Sequence, residues 1–211
     1  MPESSANSQE IANYFLANVD EEAGDNLSNL KLQKLVYYAQ GLFLAMQGDP
    51  LFDESIEAWD HGPVVPGLFR TYQYRGARSI EPPERFEPGD YAPEVRELLD
   101  AVLEVYGQFS AFKLMRMTRN EPPWRDTPRH QEITRESLRE FFTAVVEAGR
   151  SGQSIEGEPV WPMASFQHQR RREIMRRAPD PGRIRAAINR KTARGSAPGV
   201  GRRGSSFDDV A

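Results

Sequence analysis

The chain has 211 residues, 31 acidic and 27 Lys/Arg side chains and no cysteine, with a mean hydropathy of −0.65: room for one medium domain and an appendage. The missing cysteines exclude a disulfide framework, cysteine-ligated zinc and a catalytic thiol. Charge is divided unevenly: residues 167–211 carry twelve bases against four acids, a net of +8, and the preceding 166 carry fifteen against twenty-seven, a net of −12.

Ser8 to about Asn18 reads as a helix, with Ile11, Phe15 and Leu16 on one stripe and Asn7 or Ser8 as its cap. The acidic Glu21–Asn26 is a loop, and Ser28 or Asn29 caps a helix over Leu30–Gly48. Leu32, Leu35, Val36, Ala39, Phe43 and Met46 form its apolar stripe. Leu30, Tyr37, Leu42, Leu44 and Ala45 extend the cover round the remaining circumference, so this helix should cross the middle of the domain. Its charges, Lys31 and Lys34, share a face with Tyr38 and Gly41, which fits a rim of side chains whose stems lie along apolar surface.

Asp49-Pro50 ends that helix. Ile56–Trp59 alternates like a short strand, and His61-Gly62-Pro63 predicts a sharp turn beside a buried Trp59. Pro63 or Pro66 opens a helix to about Arg75, stopped by Gly76. Ala77–Pro93, with four prolines, is a surface loop or a poorly paired hairpin. Pro93 opens a helix over Glu94–Tyr106 with Val95, Leu98, Leu99 and Val102 inward, closed by Gly107. Ser110 caps the next, to about Arg119, which Glu121-Pro122-Pro123 terminates. Thr134 caps Arg135–Ala148, where Ile133 and Leu138 hold the two positions of a hydrophobic staple and Gly149 ends the run. Glu158–Met163 is a candidate strand, and basic helices are expected over Gln169–Arg177 and from Asp180-Pro181 to Thr192. Gly195–Ala211, rich in Gly and Ser, should be disordered. The predicted fold is mainly α (α+β with a minor short-stranded sheet). It comprises one compact helical domain over 8–150, a basic, partly helical extension over 151–194 and the tail over 195–211.

Catalytic equipment is sparse. His61, His130 and His168 lie far apart in sequence and lack the spacing of a helical metal pair. Neither a phosphate-cradling glycine loop nor a Gly-x-Ser-x-Gly elbow is present. Glu57 and His61 come nearest to an acid–base pair, but Gly62-Pro63 favours a structural turn there. Arg170, Arg171, Arg172, Arg176 and Arg177 form a basic patch that is a candidate nucleic-acid contact, without the interleaved aromatics that stack bases. No run approaches the ~20 apolar residues of a membrane span, and Met1–Asn7 has neither the basic start nor the apolar run of a secretion signal. These residues read as a cytoplasmic, α-rich binding domain, with no enzyme activity, cofactor or membrane partner expected.

A longer pattern is more specific. The run from Asn29 to Gly41 (NLKLQKLVYYAQG), then Pro50-Leu51-Phe52, Ile56–Trp59, His61–Pro66, Ser110-Ala111, Leu114, Thr118, Glu121 and Pro123-Trp124, resembles the Panacea domain family, the SocA- and GepA-like proteins of bacteria and phages. Order and spacing agree over residues 8 to about 150. The resemblance implies an antitoxin that neutralises a cognate protein toxin by direct binding, in the SocA type as an adaptor delivering the toxin to the ClpXP protease. It implies neither a cofactor nor catalysis. Family members often carry histidine where Arg119 stands, so a ligand role resting on that histidine is lost here. Leu32, Leu35, Trp59, Gly62, Pro63 and Trp124 are then the structural signature, with Leu, Ala and Trp positions packing and Gly62-Pro63 turning. Lys31, Lys34, Tyr38 and Gln40, which a core does not require, are the expected partner-facing or network-forming set. A nucleic-acid-associated regulator working through the Arg-rich extension is the alternative reading.

Overall fold

A computed structural model describes residues 6–19, 27–155 and 157–161. Helix α1 (Ser8–Asn18) opens on a reciprocal cap: Asn7 Oδ1 accepts from the Glu10 amide at 2.9 Å, and Glu10 Oε2 accepts from the Asn7 amide at 3.0 Å. Its Ile11 and Phe15 are wholly buried. Helix α2 (Asn29–Gln47) starts at Ser28, whose hydroxyl accepts from the Lys31 amide, and ends on Gly48 at φ 87°, whose amide donates to the Leu44 carbonyl.

As the apolar circumference predicts, α2 is the centre of the fold. Every residue from Lys31 to Leu42 is buried. The stripe then surfaces: Phe43 is half-buried and Met46 exposed, because the last turn passes beyond the helices that cover the rest. The expected rim is therefore absent, and Lys34 is as buried as Leu35.

The sheet is a single hairpin among the described residues, β1 (Glu57–Trp59) against β2 (Gly62–Val64), with Ala58 opposite Pro63 and Trp59 opposite Gly62. The turn therefore falls at Asp60-His61, and Gly62 and Pro63 belong to the returning strand. Proline's fixed φ suits that short strand, while Gly62 supplies φ 95°, which only glycine adopts readily. Residues 130–133 line the other side of β1: the His130 amide donates to the Ala58 carbonyl and the Ile133 amide to the Ile56 carbonyl, both at 2.8 Å. His130 itself has φ 63°, the left-handed region that costs a side-chain-bearing residue energy.

Helix α3 (Pro66–Tyr72) has Pro66 at its first position and runs into a 3₁₀ turn, Gln73–Arg75, before Gly76. The loop that follows is largely exposed and is anchored by buried Ile80, whose amide donates to the Leu27 carbonyl at 2.9 Å. Helix α4 (Pro93–Tyr106) buries Leu98, Leu99 and Val102, with Val95 half-buried. Helix α5 (Ala111–Asn120) ends at Glu121 as expected, but the two prolines then start a further turn, α6 (Pro122–Arg125). Helix α7 (Arg135–Arg150) starts at Thr134 with its staple residues Ile133 and Leu138 both buried.

Two expectations at the end of the described chain fail. Gly149 does not end α7; it makes room, since a Cβ there would lie 2.9 Å from Trp161 Cβ and closer to its carbonyl oxygen. Residues 158–161 are not a strand either. Glu158 and Trp161 turn inward while Val160 is 46% exposed, so side-chain burial rather than a hydrogen-bonded ladder holds them. Trp161 is completely buried and joins the same core as α2 and α7, so packing continues past residue 150. The loop Glu21–Asn26, the helices expected over 169–192, the tail and Arg170, Arg171, Arg172, Arg176 and Arg177 lie outside the described residues.

Candidate functional site

A helix that is apolar nearly all round has no solvent in which to leave its polar side chains, so each of them needs a partner. Lys34 Nζ donates to the Pro63 carbonyl at 2.8 Å. A Cβ on Gly62 would stand 2.9 Å from that nitrogen and 2.8 Å from Thr118 Oγ1, so the glycine is required by space as well as by φ. The adjacent Tyr37 and Tyr38 hydroxyls both donate to Glu121, one to each carboxylate oxygen, at 2.7 Å. Glu121 in turn is hydrogen-bonded to Glu158, whose Oε2 also accepts from Tyr106 at 3.3 Å. Tyr38 and Tyr106 stack at 3.7 Å between ring centroids, and Trp161 lies over the far side of Tyr106 at 6.3 Å.

The electrostatics follow from burial. Desolvation lowers the Lys34 ammonium to about 7 against the opposing pull of Glu121. Desolvation first, and then the neighbouring Glu121 charge, push Glu158 up to about 9. Glu121 is raised by burial and held back by the hydrogen bonds it accepts, and burial lifts all three tyrosines well above their ordinary value. At neutral pH Glu158 therefore keeps its proton beside Glu121, whose oxygens face the tyrosine hydroxyls.

Of the four residues expected to face a partner or form a network, Lys34 and Tyr38 meet around Glu121. Gln40 acts apart, bonding the Leu51 and Phe52 amides and the Phe52 carbonyl to close the loop after α2. Lys31 is buried at the start of the helix. None of the four presents its side chain to solvent. Sequence reasoning missed Glu121 and Glu158 as members of the network, reading one as a helix terminator and the other as part of a strand. It also missed Asn29 and Gln33, whose amides tie α2 to the Phe69 carbonyl and the Val65 amide.

The structural signature is mostly core. Leu32 and Leu35 are wholly buried, and Trp124 donates its indole N–H to the Trp59 carbonyl at 2.8 Å. The Arg129 guanidinium covers the Trp124 ring at 3.5 Å from its centroid and Arg119 approaches it at 5.1 Å, which is what Arg119 does at its position. Trp59 is the exception: it is half-buried, because alternate residues of β1 face opposite ways and Ala58 takes the inward position.

Trp59 instead forms one wall of an open cleft of about 290 Å³. Phe69 meets its ring at 5.2 Å and His130 at 6.1 Å, with Asp60 and His61 on the exposed hairpin tip and Asn29 and Gln33 at the α2 side. Glu57, the nearest thing to an acid–base partner for His61, has its Oε2 engaged by the Trp59 indole N–H at 2.8 Å. No group of three or more His, Asp or Glu side chains suited to a metal ion occurs among the described residues. Nor is any helix among them long and apolar enough to cross a membrane.

Residues 32–125, which carry most of α2, the hairpin, Thr118, Glu121 and Trp124, match the family described as antitoxin SocA-like, Panacea domain. Antitoxin SocA from Caulobacter vibrioides (strain NA1000 / CB15N) is 40% identical over 78 residues, covering 36% of this chain and 40% of that protein. The chain thus spans well under half the length of that curated relative. No solved structure matches it to a significant degree. The family match covers most of the stretch from Asn29 to Trp124, whose order and spacing resemble the Panacea domain of SocA-like antitoxins.

Proposed function

We propose that this protein is an antitoxin that neutralises a cognate protein toxin by stoichiometric binding. The observation that carries the reading is the Panacea match over residues 32–125 together with the 40% identity to antitoxin SocA. The fold supports binding over turnover in one respect. The buried ionisable groups Lys34, Glu121 and Glu158 are bonded to one another, to tyrosines or to backbone, so they stiffen a scaffold instead of meeting a substrate. In this reading Lys31, Lys34, Tyr38 and Gln40 are network-forming residues, and contact with the toxin falls to the exposed surface they support. Delivery of the bound toxin to a protease, as an adaptor of the SocA type, is the finer form of the same proposal. The nucleic-acid alternative rests on arginines outside the described residues, and nothing within those residues favours it.

The test is to recover what co-purifies with the tagged protein from its native host and to express that protein with and without this chain. Growth arrest relieved in proportion to the amount of antitoxin is the expected result. Relief by catalytic amounts, or a copurifying protein that is harmless alone, would overturn the proposal. Loss of the toxin from a ClpX-containing host, but not from one lacking ClpX, separates delivery from simple occlusion.

A further inference from the structure

The cleft beside the hairpin sets aromatic rings beside carboxylates. Trp59 and Phe69 present aromatic walls, and a ring face carries negative charge density that attracts an ammonium or guanidinium. The Glu57 carboxylate accepts the Trp59 indole N–H, which pushes electron density into that ring. Asp60, exposed at the hairpin tip, lines the cleft, and among the described residues no basic side chain bonds to it. Among the described residues no lysine or arginine lines the space. His130 is held at a left-handed φ that places its ring against Trp59, so backbone strain is spent on shaping this wall. Residues 1–166, which include the cleft, carry a net charge of −12.

We propose that the cleft receives an arginine or lysine side chain projecting from a basic protein partner. The side chain stacks on Trp59 and Phe69 and pairs with Asp60. The inference rests on the antitoxin reading in taking the toxin as that partner, but the cation preference of the cleft stands or falls alone. The volume, about 290 Å³, accepts one long side chain. A Trp59–Phe69 pair with a carboxylate at its edge favours a cationic tip over an aliphatic one.

Two measurements separate the parts. The full chain, labelled with ¹⁵N, gives indole resonances from three tryptophans, and Trp59→Phe assigns the relevant one. Titrated with N-acetyl-arginine N-methylamide, the Trp59 indole should shift saturably. Asp60→Asn should weaken that binding by about threefold, and the uncharged citrulline analogue should leave the resonance in place. An equal shift with citrulline, or none with arginine, would overturn the proposal. In the co-expression assay, Asp60→Lys and Trp59→Ala, checked for folding by thermal melts, should lose protection that wild type gives. Protection by both variants equal to wild type would overturn the cleft as the contact. No protection by wild type would instead sink the antitoxin reading and leave the arginine titration to judge the cleft.

Discussion

Gly41 lies in the middle of α2, where glycine costs a helix about 1 kcal/mol relative to alanine. On an exposed helix, Gly→Ala is therefore stabilising. Here the sign should reverse. A Cβ on Gly41 would stand 2.8 Å from Phe142 Cγ and closer still to Cδ2 and Cε2, inside any tolerable carbon–carbon contact. The Phe142 ring has nowhere to retreat: it is fully buried, with Tyr37 at 5.4 Å, Tyr38 at 6.1 Å and Phe141 at 5.0 Å between ring centroids. Overpacking a filled core costs about 1–3 kcal/mol, and three ring carbons displaced at once argue for the upper end. Setting about 3 kcal/mol of strain against about 1 kcal/mol of helix propensity leaves Gly41→Ala less stable by about 2 kcal/mol. For a domain of this size that lowers the melting temperature by roughly 4–8 °C. Urea and thermal melts measure it directly. The same substitution in a Phe142→Leu background should recover much of the loss, the mark of two residues competing for one space. A Gly41→Ala protein that melts higher than wild type would show that α2 and α7 are not in contact there, and the central packing described above would fall.

How far the sequence led can be judged residue by residue. Helix ends were legible where a local rule acts alone: the Asn7, Ser28, Ser110 and Thr134 caps, proline at the first position of α3 and α4, and the Ile133–Leu138 staple all stand where short-range chemistry puts them. The Panacea pattern was legible as a string. Its polar members were harder to place. Lys34 at the surface and Lys34 in the core give the same letters, and only distant partners, the Pro63 carbonyl and the Glu121 carboxyl, distinguish them. A count of polar residues on an otherwise apolar helix would have pointed to buried partners without naming them. The hairpin was misplaced because Gly-Pro is strong turn vocabulary, yet φ 95° at Gly62 served the crowding of Lys34 and Thr118 instead. Residues 158–161 were misread for a similar reason: Val-Trp favours a strand, but Gly149 left a hole of the right shape for Trp161. Long-range fit overrode local preference at each of these points.

Ending the chain after Arg150 removes Glu158 and Trp161, baring Gly149 and the Tyr106 face. It should cost about 3–5 kcal/mol, the range for emptying a large aromatic site, whereas ending it after Met163 should not. Urea melts of the two truncations that coincide would show that residues 157–161 contribute nothing. The buried charges make a further prediction, for the pH dependence of stability. Glu158 moves from 4.5 to about 9 on folding, so the folded state holds a proton that the unfolded chain gives up; stability is full below 4.5 and falls as pH rises toward 9. Glu121, also raised, acts in the same direction. Lys34 moves from 10.5 down to about 7, so between those values the unfolded chain holds the extra proton and stability rises with pH. From 4.5 to 7 only the acids titrate and stability should decline; from 7 to 9 the lysine opposes Glu158 and the curve should flatten. Each fully titrating group contributes at most about 1.4 kcal/mol per pH unit. Lys34→Met removes the opposing group, so its stability should go on falling where wild type levels off. Urea titrations across that window decide the matter, and wild-type and Lys34→Met curves that run parallel from pH 7 to 9 would show that Lys34 keeps its proton in the core.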